Sequence, residues 1–238
     1  MSLTIMKRPQ LVNDEIYHIV LRGASDSLIF LNKDDYYRGV FSLFEFNDKQ
    51  MVSIRDRRRA RIYAKKFGNK EFSATRKILV EILAFCFMPN HIHLLLRQIK
   101  DNSITDFMRK FGTGYALYFN KKHKRQGHLF QSKFKAVHIK NDRQLNVIFN
   151  YIHTNPISLL EPNWKEKGTQ APKKANDFIN DYKWSSYQDY IGQKNFPSVT
   201  ERNFLSEMMG GTVGCKKSVQ DWIGHKKEVL GIGDIALE

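Results

Sequence analysis

The chain has 238 residues, two cysteines and a formal net charge of +15, from 39 Lys and Arg against 24 Asp and Glu. At this length one core can bury about 70% of the unfolded chain's surface without staples. Cys86 and Cys215 lie too far apart in sequence, with no CxxC partner, to suggest a disulfide framework or a cysteine zinc site. No apolar run is long enough to span a bilayer, and MSLTIMKRPQLVNDE lacks the apolar stretch of a secretory signal, so the expectation is a cytoplasmic protein without membrane contact. The basic excess makes a polyanion, nucleic acid first, the expected partner.

EIYHIVLRG (15–23) alternates as a half-buried strand does, and KDDYYRGVFSLFEFND (33–48) starts acidic and carries Val40, Phe41 and Phe44 at helical spacing. Residues 51–77 hold Arg55, Arg57, Arg58, Arg59, Arg61, Lys65, Lys66, Lys70, Arg76 and Lys77, which read as an exposed basic insertion. It is either a solvated loop or a nucleic-acid contact. ILVEILAFCFM (78–88) is nearly unbroken in apolar character, as a strand covered on both faces is. Pro89-Asn90 then turns the chain into HIHLLLRQ, predicting an antiparallel pair. SITDFMRKFGTGYALYF (103–119) starts with a capping-box-like Ser103 and Asp106 and aligns Ile104, Phe107, Met108, Phe111, Tyr115 and Tyr118 on one face. A basic loop and short strand occupy 121–139, a helix 141–156 ends at Pro156, 157–177 reads as a linker, and YKWSSYQDYIG (182–192) as aromatic packing. The expected fold class is α+β, one antiparallel sheet with helices on one face, followed by a partly helical C-terminal extension over 193–238.

Residues i and i+2 of a strand share a face, so His91 and His93 project together with Leu95 and Arg97, away from Ile92, Leu94 and Leu96. That face reads as polar, and two imidazoles so placed can share a divalent ion. On the helix that follows, each residue turns by roughly 100°. Leu145, Ile148, Phe149 and Ile152 form its core stripe, Tyr151 and Asn155 sit together on one flank, and His153 falls on the other. A phenol is mostly protonated at neutral pH, and as a nucleophile it needs a cation or base beside it. An ion held by His91, His93 and the amide oxygen of Asn155 would supply that and act as a Lewis acid on a phosphate. The donor set suits Mg²⁺ or Mn²⁺, with zinc as a further option.

MPNHIHLLLR, GHLFQSKFK, YIHTNP and WSSYQDYIG, in that order, resemble the REP-associated tyrosine transposases, bacterial relatives of the single-tyrosine HUH insertion-sequence transposases. The resemblance runs from YHIVLRG to Gly192, giving an expected catalytic domain over 1–192. It implies a ferredoxin-like (RRM-like) fold, His91 and His93 as metal ligands, Tyr151 as nucleophile and Asn155 as a further ligand. It also implies cleavage of single-stranded DNA, often beside a hairpin, through a 5′-phosphotyrosine link that a 3′-hydroxyl later reverses, so no ATP motif is needed. The insertion-sequence enzymes work as dimers with the tyrosine in trans, whereas the REP-associated group implies a monomer. The chain departs from the family pattern at NPISLLEPNW and at Ser132 in GHLFQSKFK. The contrasting reading is a transposase-derived protein that binds hairpin DNA or RNA without turnover.

Further DNA contacts are expected at Arg125, His128, Lys133 and Lys135, where Phe130 and Phe134 interleave the basic loop and are either base-stacking or core residues. Arg97 on the histidine face, and Arg57, Arg58 and Arg59 in the basic insertion, complete the candidates. Trp184, Tyr187 and Tyr190 are expected to pack on the sheet.

Overall fold

The computed structural model describes residues 9–66, 76–131 and 133–225. Strand β1 (Ile16–Arg22) leads through helices α1 (Lys33–Phe46) and α2 (Ile54–Lys66) to the hairpin of β2 (Val80–Met88) and β3 (His91–Gln98). Helix α3 (Ser103–Lys122) then crosses to β4 (Lys135–Ile139), and α4 (Asp142–Thr154) follows. The four strands form one antiparallel sheet in the order β2-β3-β1-β4. The fold is therefore α+β, as expected. Its central strands are β3 and β1, which places the histidine strand in the middle of the sheet.

Helices cover both faces of that sheet, where the sequence reading expected them on one. Tyr17, Ile19, Leu21, Phe85, Phe87, Ile92, Leu94 and Leu96 face α1 and α3, and together they form one apolar core. The opposite parity, with Ala84, Cys86, Met88 and Leu95, packs on α4 in a second core. A polar histidine face would have stayed wet; α4 instead buries it with a stripe of Leu145, Ile148, Phe149 and Ile152 that is at most 2% exposed. The second core is extended by α5 (Trp164–Lys167), α6 (Pro172–Asp181), α7 (Tyr187–Tyr190), α8 (Asn203–Met208) and α9 (Gly211–His225). Residues 157–177 are thus no linker: Ile157, Trp164 and Ala175 are buried in this core.

WSSY closes the outer edge of the sheet. Phe87 N donates to Trp184 O at 2.8 Å, Ser186 N donates to Phe85 O at 3.0 Å, and Cys86 bridges Ser185. The Tyr182 and Tyr190 hydroxyls donate to the Phe87 and Leu83 carbonyls, each at 2.6 Å. An open edge would offer unpaired main-chain groups to another chain, and these aromatics remove it. Tyr187 and Tyr190 are buried as expected, and Trp184 packs against both cores.

Two local expectations are corrected. The basic insertion is helical over α2 rather than a loop, because α1 and the turn after it offer it buried acids: Arg57 reaches Glu45 at 3.1 Å and Asp48 at 2.5 Å, and Arg61 also pairs with Glu45. Lys70 and Ser132 lie outside the described residues, as does the chain beyond 225. The predicted capping box of α3 is absent: Asn102, with φ 60°, is the N-cap and makes no side-chain capping bond, while Asp106 pairs with Arg109.

Candidate active site

Three elements converge on the buried face of the sheet. β3 contributes His91 and His93, β1 contributes His18, and the end of α4 contributes Tyr151 and, at the following turn, Asn155. In the β1–β3 register His93 lies opposite Val20, so His18 reaches it along the diagonal, a separation that long rings can bridge. His18 Nε2 lies 3.0 Å from His93 Nδ1, and the two rings stack at 5.2 Å. Asn155 Nδ2 lies 3.0 Å from His93 Nε2. The His91 and His93 rings meet edge to face at 4.7 Å, and His91 Nδ1 lies 2.7 Å from Asn90 Oδ1 of the turn.

Tyr151 presents its ring to both histidines, 5.5 Å from His93 and 5.9 Å from His18. The flank chosen by helix angle therefore meets His93 of the predicted pair, together with His18. Tyr151 is nonetheless only 3% exposed, and α5 lies over it with Lys165 Nζ 5.3 Å from the ring centre. Lys165 falls in the stretch read as a linker, and His18 in a strand read only for its alternation. No sequence signal marked the first; for the second, the shared parity of His18, Val20 and Arg22 was the available clue.

The electrostatics suit an anion. His93 is held well below the usual imidazole range, first by burial and then by the positive fields of His91, His18, Lys165 and Arg22. It is neutral at ordinary pH and offers a lone pair. His153 points elsewhere: it is fully buried, with Nε2 2.9 Å from Ser186 Oγ and its ring among Phe149, Tyr187 and Tyr190.

A divalent cation fits this donor set in chemistry: two imidazoles side by side on one strand and an amide oxygen on the Asn155 side chain, all buried. Among the described residues no group of three or more His, Cys, Asp or Glu is placed to hold a metal.

The expected DNA contacts separate into two groups. Lys133, Lys135, His128, Arg58 and Arg59 are exposed. Arg57 is occupied by Glu45 and Asp48, and Arg97 pairs with Glu81 at 2.7 Å and stacks on Phe204 at 4.2 Å. Arg125 donates to the His128 carbonyl at 3.3 Å, closing its own loop. Phe134 is buried in the core beneath α3, which removes it as a base-stacking platform.

Residues 50–155 match the family model described as transposase IS200 like, a span that includes His91, His93, Tyr151 and Asn155. The family resemblance read from the motifs is borne out over that span. Among solved structures, a REP-associated tyrosine transposase bound to a REP hairpin is 13% identical, with a TM-score of 0.48, covering 85% of this chain and 96% of its own. A tRNA(His) guanylyltransferase from Saccharomyces cerevisiae is 10% identical, with a TM-score of 0.35, covering 90% of this chain and 80% of its own. No curated protein matches the chain.

Proposed function

From the IS200-like transposase region at residues 50–155, we propose that the protein is a transposase that nicks and rejoins single-stranded DNA next to a hairpin, with Tyr151 as nucleophile. The observation that carries this reading is the convergence of Tyr151 of α4 and Asn155 of the turn that follows it on His93 of the central strand, at 5.5 Å between rings and 3.0 Å between polar atoms. His91, His93 and Asn155 would hold a divalent cation, Mg²⁺ or Mn²⁺. When bound, it supplies Lewis-acid polarisation of the scissile phosphate.

The chain's own groups perform the rest. The Tyr151 oxygen attacks phosphorus, and the bond from phosphorus to the 3′-oxygen breaks. The phenol proton passes to solvent and the departing 3′-oxygen takes one up as a hydroxyl. The 5′ side stays esterified to Tyr151, and attack by a 3′-hydroxyl reverses the exchange without ATP. Lys165, beside the Tyr151 ring, sets a positive charge where the phosphate would lie. Tyr151 is 3% exposed, so the strand reaches it only once the groups that bury it rearrange. Tyr151 meets His93 within one chain, which supports a tyrosine acting in cis and favours a monomer over a dimer. Its place of action is the cytoplasm, on nucleoid DNA; no helix among the described residues is long and apolar enough to cross a membrane.

The test uses a single-stranded oligonucleotide carrying a hairpin, incubated with the protein in Mg²⁺ or Mn²⁺. A covalent protein–DNA adduct that survives denaturation is expected, lost on Tyr151→Phe and on chelation. Tight hairpin binding with no adduct under any metal would instead identify a binding protein without turnover.

A further inference from the structure

Two opposite proton assignments are self-consistent across three buried side chains. In the first, Asn155 Nδ2 faces His93 Nε2 at 3.0 Å and donates to its lone pair, which places the His93 proton on Nδ1. That nitrogen lies 3.0 Å from His18 Nε2, which must then accept. His18, His93 and Asn155 are each 0% exposed, so a mismatched nitrogen pair here would cost its full desolvation penalty. The reverse set of protons, with the Asn155 amide turned over, is also self-consistent, but it puts a hydrogen on Nε2.

We infer that His18 is a positioning residue: by accepting from His93 Nδ1 it keeps the Nε2 lone pair of His93 directed at the cation site formed with His91 and Asn155. The His18 ring stacks on His93 at an interplanar angle of 16° and meets Tyr151 edge on at 76°, so it also restrains the plane of the ligand and the ring of the nucleophile. Partners of this kind fix ligand tautomer and orientation, and their loss commonly weakens metal binding 10- to 100-fold, on the order of the effect expected here. The inference rests on the metal-site reading above.

Two-bond proton–nitrogen spectra of the imidazole rings report the tautomer in the metal-free protein, and Mn²⁺ calorimetry reports affinity without any DNA. Wild type should show His93 protonated on Nδ1. His18→Phe should show a mixture of His93 tautomers and bind Mn²⁺ about tenfold more weakly or worse. His18→Gln, whose amide oxygen can accept near the former Nε2, should recover most of the affinity. His93 protonated on Nε2 in wild type would overturn the inference, and that measurement needs no variant to fold. So would His18→Phe binding Mn²⁺ as wild type does while His93→Ala has lost it. If His93→Ala retains wild-type Mn²⁺ affinity, the metal site itself is wrong and the role of His18 falls with it.

Discussion

His153 lies two residues from Tyr151 and shares none of its setting. Burial pushes its imidazole down to about 3, against a weaker opposing contribution from the Phe149 backbone. The folded state therefore holds His153 neutral where the unfolded chain, at about 6.5, takes up a proton. Stability from this group is fully present above pH 6.5 and is lost as pH falls toward 3, by at most about 1.4 kcal/mol per pH unit. His93 adds a loss of the same sign. Urea midpoints measured at pH 7.5 and 5 should fall in wild type, and the fall should be smaller in His153→Gln; an equal fall in both would show that His153 is not buried neutral. Helix angle separated Tyr151 from His153 before any coordinates. It misjudged the character of the flank, since the helix rotation says nothing of what later elements lay over it.

Between elements, α1 and α3 approach each other through a glycine. A Cβ on Gly114 would run into the Phe46 ring, whereas a Cβ on Gly112, two residues earlier on the same helix, meets nothing within 4 Å. Gly112→Ala should therefore stabilise by about 1 kcal/mol through helix propensity alone. Gly114→Ala should destabilise by about 1–3 kcal/mol through overpacking. Thermal melting of the two variants checks this, and a shift of the same sign in both would contradict the packing. The existence and order of β1, α1, β2, β3, α3, β4 and α4 were legible: α1, α3 and α4 carry a helical period, β1 alternates, and β2 and β3 flank the Pro89-Asn90 turn. The helical form of α2 was not, because ten basic residues in 51–77 show no apolar stripe, and the buried Glu45 and Asp48 that hold Arg57 belong to and follow another helix.

For the molecule as a whole, the charge of +15 should appear in DNA binding as a strong salt dependence. Lys133 and Lys135 are exposed, and replacing either by Ala should reduce the slope of log K against log salt by roughly 0.7 to 1. Arg57→Ala should behave differently. It leaves the slope unchanged and costs about 3 kcal/mol of stability, because the carboxylate of Asp48, 1% exposed, loses its pairing with Arg57 and that of Glu45, 0% exposed, keeps only Arg61 of the two. Fluorescence anisotropy at several salt concentrations, paired with thermal melts, distinguishes the two; a reduced slope without loss of stability for Arg57→Ala would make it a DNA contact after all.

Strand parity and helix angle by themselves selected His91, His93, Tyr151 and Asn155, since both periodicities follow from backbone geometry alone. Ordered motifs then tied that quartet to a transposase family. Only the tertiary structure brought in His18, across the β1–β3 diagonal, and Lys165, from a short helix folded back over Tyr151. Only it showed the histidine face covered by α4 and the WSSY segment sealing the edge of β2. Those decisions depend on contacts between residues tens of positions apart, and a periodicity read within one segment carries no information about which other segment will lie against it.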